Sequence, residues 1–161
     1  MIPKTHDAFQ KKARMRGYCG IGIVNGKFSQ NLGGLWRSAY CLYASYIFTI
    51  GSRYSKEDSD TCSAFRMIPL LQFSYEEEFL NSFPKECVLV GIEIHPRAKS
   101  LESYIHPPQA CYVLGAEDNG LSETMIKACK QIVVINSKHC LNVATAGSIV
   151  LYDRMLKVNK A

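Results

Sequence analysis

Apolar residues recur along this chain in short, nearly continuous runs, and the stretches between them carry helical spacing. Tyr18–Val24, Tyr46–Ile50, Val88–Ile94, Ala110–Leu114 and Ile132–Ile135 are predicted to be strands. Several are apolar at successive positions, as expected for parallel strands covered on both faces. Between the first two, Asn31–Ser45 places Leu32, Leu35, Trp36, Ala39, Leu42 and Tyr43 at helical intervals, with Ser29 as a candidate cap. Ser74-x-x-Glu77 reads as a capping box opening a short acidic helix. Ser122 is placed to cap a helix over Glu123–Lys130, and Asn142–Lys157 makes a long last helix. Strands alternating with helices predict an α/β fold, a mostly parallel sheet flanked by helices.

The polar stretch Ser52–Arg66 is predicted to be a surface loop, and Pro107-Pro108 a turn before the fourth of these strands. No repeat, low-complexity tract or linker interrupts the pattern. Residues 1–161 are therefore expected to form one domain, with 1–16 a basic arm carrying Lys4, Lys11, Lys12, Arg14 and Arg16. That arm is equally compatible with a solvated tail and with a strip that contacts a polyanion.

Composition adds bounds. Hydrophobic residues make up 47% and charged residues 20% of the chain, which excludes disordered and fibrous classes. A net charge of +5 suits a polyanionic partner without requiring one. Seven cysteines are scattered without a Cys-x-x-Cys pair, so reduced thiols in a cytoplasmic setting are expected, with neither a disulfide framework nor a metal site. The longest uncharged run, Ser38–Ser52, falls short of the roughly 20 residues that a membrane helix needs, so no membrane association is expected.

Several familiar motifs are missing. Gly20-x-Gly22 is followed by Asn25 where a dinucleotide fingerprint wants glycine, and it lies within a strand. There is no Walker loop, no His-Glu-x-x-His and no Gly-x-Ser-x-Gly. His6, His95, His106 and His139 lack metal-ligand spacing.

The chemistry concentrates in three segments. Two close apolar runs in the last third: Leu114-Gly115-Ala116-Glu117-Asp118-Asn119-Gly120-Leu121-Ser122 and Cys140-Leu141-Asn142-Val143-Ala144-Thr145-Ala146-Gly147. Small or glycine-rich backbone there sits where strands should end and helices begin, the place where open α/β sheets bind ligands. The third segment, earlier in the chain, is Ser29-Gln30-Asn31-Leu32-Gly33-Gly34-Leu35-Trp36-Arg37-Ser38-Ala39. In this order the three resemble the motifs of the SPOUT superfamily of RNA methyltransferases, SpoU/TrmH branch: Asn-Leu-Gly then Arg, Leu-Gly-x-Glu-x-x-Gly-Leu, and Ser-Leu-Asn-Val. The resemblance spans roughly residues 18–157.

The resemblance implies S-adenosyl-L-methionine as cofactor, with methyl transfer to a ribose 2′-oxygen of tRNA or rRNA. It also implies a C-terminal trefoil knot and a homodimer, and no metal. Carried onto this chain, Ile92, Leu114, Gly115, Glu117, Ile132, Cys140 and Leu141 are the expected cofactor-binding residues, with Gly115 allowing close backbone approach to the adenosine. Arg37, Asn31 and Asn142 are the expected catalytic set. Arg37 suits activation better than base chemistry, because a guanidinium is hard to deprotonate and readily stabilises an alkoxide beside a phosphate. Without the motif, Arg37 would be a snorkelling surface residue.

One departure stands out. Cys140 occupies the position usually held by Ser, which questions any mechanism needing a hydroxyl there but leaves backbone contacts intact. Its neighbour His139 does not make it a nucleophile, since adjacent side chains rarely aim at one point. Glu76–Glu78 read as a solvated helix face. Two rival functions are a non-catalytic RNA-binding protein of the same fold and a nucleotide-dependent oxidoreductase; the motif residues weigh against the first, and the missing fingerprint against the second.

Overall fold

The computed structural model describes residues 17–51 and 66–158. The basic arm, Cys62 and all of the Ser52–Arg66 loop except Arg66 lie outside those residues. In chain order the elements are β1 (Cys19–Val24), α1 (Ser29–Cys41), β2 (Tyr46–Ile50), β3 (Leu70–Phe73), α2 (Glu76–Ser82), β4 (Val88–Ile92), β5 (Lys99–Ser100), a 3₁₀ turn (Leu101–Ser103), β6 (Ala110–Leu114), α3 (Glu123–Ala128), β7 (Gln131–Val134) and α4 (Val143–Val158).

The strands form one parallel sheet in the order β3-β2-β1-β6-β4-β7-β5. Its apolar runs are explained by burial on both faces. Ile21, Ile23, Ile47, Val90, Tyr112, Leu114 and Val133 face one core with Leu32, Leu35 and Trp36 of α1 and Val150 and Leu151 of α4. Alternate residues Phe48, Ile50, Leu89, Cys111, Val113 and Ile132 face the other, with Phe79 of α2 and Met125 and Ile126 of α3. Gly20 and Gly22 belong to this packing: a Cβ on either would collide with the Tyr46 or Phe48 side chain of the neighbouring strand.

The elements differ from expectation at their ends. β3 and β5 had no clear pattern in the sequence, and Val88–Ile94 stays in the sheet only to Ile92, so that Glu93 and Ile94 turn out of it. The run Ile132–Ile135 starts and stops one residue earlier, at Gln131–Val134. Helix α1 ends at Cys41 because Tyr43 takes a left-handed conformation (φ 64°). The expected serine cap is not used at α2. Ser29 is the first helical residue after an extended Phe28, and α2 starts from Tyr75, with the Ser74 N–H donating to Glu78 Oε2 at 2.7 Å. Ser122 does cap α3, its Oγ accepting from the Met125 N–H at 3.0 Å.

Helix α4 is fixed at its far end by buried polar groups. Arg154, only 6% exposed, donates to the carbonyls of Pro107 (2.6 Å) and Pro108 (2.7 Å) and to the Tyr112 hydroxyl (3.2 Å). His106 lies between the Tyr112 hydroxyl (2.6 Å) and Asp153 (2.8 Å), and Lys157 pairs with the same carboxylate at 2.7 Å. Burial outweighs the Asp153 partner and holds the imidazole pKa down, at about 4.

The unfolded chain therefore binds a proton at His106 that the native state refuses. Stability from this group is complete above pH 6.5 and declines as the pH falls toward 4, by about 3 kcal/mol in the limit. The melting temperature should fall over that window, and His106→Gln should flatten the fall in a pH series of thermal melts. An unchanged slope in the variant would assign the acid sensitivity elsewhere.

Candidate active site

Four loops leave the carboxyl edge of the sheet side by side, after β1, β4, β6 and β7. The strand order reverses direction between β1 and β6, where open parallel sheets leave a crevice. Beside it, over the ends of β4, β6 and β7, opens a cavity of about 460 Å³, within the range of small-molecule sites. Its apolar wall includes Ile92, Leu114, Val134, Ile135 and Leu141, and its polar rim includes Glu93, Glu117, Asp118 and Glu123.

Three side chains, one from the first turn of α1 and one from each of the loops after β6 and β7, meet at one edge. Asn142 Oδ1 accepts from the N–H groups of Ala144 (3.0 Å) and Thr145 (3.2 Å), so Asn142 caps α4. With its oxygen engaged, Asn142 turns its Nδ2 to Asn31 Oδ1 (2.8 Å) and Glu117 Oε1 (3.0 Å). Asn31 Nδ2 closes the triangle on the same Glu117 oxygen at 3.0 Å. Beside it, Lys27 after β1 pairs with Asp118 in the β6 loop.

The β6 loop is folded tightly on itself. A Cβ on Gly115 would lie 2.1 Å from the Gly120 carbonyl carbon and 2.4 Å from the Leu121 nitrogen. Gly115 thus makes room for its own loop while lining the cavity. Gly120 holds a left-handed conformation (φ 62°), and the Ala116–Gly120 bridge completes the turn.

Of the expected cofactor residues, Ile92, Leu114, Gly115, Glu117, Cys140 and Leu141 line this cavity. Ile132 does not. Strand alternation points it to the opposite core beside Met125 and Cys129, and Val134 and Ile135 supply the β7 contribution. Asn31 borders a small adjoining cleft with Lys27 and Phe28, and Asn142 joins the triangle. Arg37 is exposed on α1 and is not part of the cavity wall. Cys140 is exposed, whereas burial pushes the thiols of Cys19, Cys111 and Cys129 upward. Glu93 went unnoticed in the sequence, although it is the single charge within the run Val88–Ile94. Among the described residues, no group of three or more His, Cys, Asp or Glu side chains could hold a metal ion, and no helix is long and apolar enough to cross a membrane.

The sequence profile of the SpoU rRNA Methylase family matches residues 20–152. The chain belongs to that family. Comparison with curated proteins by sequence finds no match. Solved structures give the same fold at low identity. The SpoU methyltransferase AviRb from Streptomyces viridochromogenes, in complex with AdoMet, is 21% identical with a TM-score of 0.76; the match covers 88% of this chain and 58% of that one. A TrmH/SpoU tRNA modifying enzyme from A. aeolicus is 15% identical with a TM-score of 0.77, covering 94% and 83%. A structure described as giving insights into 2-OH methylation of C/U34 on tRNA is 16% identical with a TM-score of 0.75, covering 91% and 99%. The chain spans under two thirds of the length of AviRb but nearly all of the last.

The triangle makes separable demands on Asn142. Asn142→Asp keeps a good helix cap but places a carboxylate against Glu117 and removes both donated hydrogen bonds. Stability should fall by about 1 kcal/mol, with amide exchange rising at Glu117–Gly120 while the first turn of α4 stays protected. Gly115→Ala should cost about 1–3 kcal/mol through the collision with Gly120. Equal exchange rates in Asn142→Asp and the native protein would show that the triangle does not hold the loop.

Proposed function

We infer that this chain is an S-adenosylmethionine-dependent RNA methyltransferase acting on a ribose 2′-oxygen. The observation that carries this is the convergence of Asn31, Glu117 and Asn142, one from each motif, at the edge of the carboxyl-end cavity. The donor set fits the cofactor: an apolar wall suits adenine, and the carboxylates of Glu117, Asp118 and Glu123 suit a cationic sulfonium compound. When bound, the cofactor supplies a methyl group on a positively charged sulfur that becomes neutral on transfer. Leu114, Gly115, Cys140 and Leu141, with Ile92 and Glu117, are the residues that would hold it.

The chain's own groups then have positional work. The triangle fixes the loops of all three motifs, and orienting two reactants contributes more here than proton chemistry. Arg37 binds the phosphate beside the target ribose and stabilises the developing alkoxide. Transfer RNA is the preferred substrate, supported by the likeness in fold to the structure concerned with C/U34 of tRNA; rRNA is the alternative that the family's name carries.

The reading includes a homodimer. The outer face of α4 presents Ile149, Tyr152 and Leu156, and α1 beside it presents Tyr40 together with Arg37. These exposed apolar side chains at helical spacing suit a second copy of the chain, which would bring Arg37 of one protomer to the cavity of its partner. The C-terminal trefoil knot belongs to the same proposal, supported by the return of α4 from β7 across to α1, where Gly147 packs on Leu35 and Ile21.

S-adenosylmethionine should raise the melting temperature by linkage and protect Cys140, but not the exposed Cys41, from alkylation. Gly115→Val should abolish both effects. A thermal shift that survives this substitution, or protection absent from the native protein, would move the cofactor away from the cavity.

Mixing inactive Arg37→Ala with inactive Gly115→Val should restore part of the methyl transfer to bulk RNA from cells lacking the enzyme, because one composite site in a mixed dimer is intact. No recovery despite verified subunit exchange would mean that each protomer carries a complete site.

A further inference from the structure

The cavity wall contains a carboxylate that none of the three motifs includes. Glu93 is the first residue past β4, where the strand leaves the sheet. Its Oε2 accepts from the Leu121 N–H at 2.9 Å, and its Oε1 accepts from the Ile94 N–H at 2.9 Å. The same carboxylate lies against Gly120, where a Cβ would come within 2.4 Å of Oε2. Gly120 is left-handed, so the Gly120–Leu121 peptide is presented to Glu93 in a conformation that other residues adopt only with strain. Gly115 closes the same peptide from the other side.

We propose that Glu93 is a positioning residue for the cofactor site, clamping the Gly120–Leu121 turn of the β6 loop onto the end of β4. Both partners are backbone N–H groups at loop positions without a strand partner, and a carboxylate is the acceptor that forms the strongest hydrogen bonds to them. The clamp joins two walls of the cavity, the β4 end at Ile92–Ile94 and the β6 loop at Gly115–Leu121. The triangle of Asn31, Glu117 and Asn142 ties the middle of that loop to the β1 and β7 sides. Glu93 ties its end to the β4 side, and the loop is thereby held from two directions. A loop held in this way meets its ligand already ordered and forfeits less conformational entropy on binding.

This proposal rests on the reading that S-adenosylmethionine occupies the cavity. The test compares native protein with Glu93→Gln, which keeps the size of the side chain but leaves one carbonyl oxygen for two N–H donors. Calorimetric titration with S-adenosylmethionine and with S-adenosylhomocysteine should show both weakened by a similar factor, about tenfold. Amide exchange at Leu121 or Ile94 should accelerate in the unliganded variant, while its melting temperature stays within a few degrees of native. Glu93→Asp, which keeps the charge on a shorter arm, should recover part of the affinity.

Native-like affinity and native-like exchange in Glu93→Gln would overturn the clamp. Selective loss of S-adenosylmethionine, with S-adenosylhomocysteine bound as before, would overturn it too, because it would show the carboxylate acting on the sulfonium charge directly. Failure of the cavity reading shows differently: the native protein would then bind neither ligand, or would bind without protecting Cys140 from alkylation.

Discussion

Three side chains far apart in the chain share one small ring of hydrogen bonds, and the arrangement of the site follows from it. Asn142 spends its oxygen on the first turn of α4, which leaves its two N–H groups to find acceptors. Asn31 offers an oxygen to one of them and, through its own amide nitrogen, converges with Asn142 on a single Glu117 oxygen. An amide at either position can donate and accept at once, which a carboxylate or an ammonium cannot. The ring is exposed, so its net energy is small; its effect is geometric, since it fixes the relative places of the loops after β1, β6 and β7.

Helix α4 extends that order into the body of the protein. Its first turn is part of the ring, and its last turns are locked by Arg154 to Pro107 and Pro108 and by Lys157 to the carbonyls of Leu101 and Glu102. Between these ends it packs on α1 and on the β1 face of the sheet through Gly147, Val150 and Leu151. One helix therefore spans from the site to a buried anchor at the opposite edge.

Much of this was legible in the sequence, for physical reasons that also explain what was not. Interior strands such as β1 and β6 are buried on both faces, so their apolar runs are continuous and easily seen. The edge strand β3, with Leu71 and Gln72 exposed, and the two-residue β5 have no such signal. Ser122 was readable as a cap because its side chain does the capping; the start of α2 was displaced by one residue because a backbone N–H of Ser74 takes the Glu78 carboxylate instead. Motif spacing marks the neighbourhood of Ile132, while strand alternation decides which core its side chain meets. Gly115 is visible in the sequence as a small residue at a strand end, and its close fit against Gly120 and Leu121 is a contact within the loop that composition does not reveal. Glu93 carried a faint signal, one carboxylate in an apolar run.

The strand order also shapes how the chain must be built. β1 is an interior strand, paired with β2 on one side and β6 on the other, and all six of its residues are buried. Its second partner begins only at Ala110, after β2, β3, α2, β4 and β5 have been made. Until Leu114 emerges during synthesis, one flank of β1 is an open apolar edge with unpaired backbone groups, the kind of surface that recruits other chains. A strand that later lies wholly inside the sheet is thus, until that partner arrives, a vulnerable border.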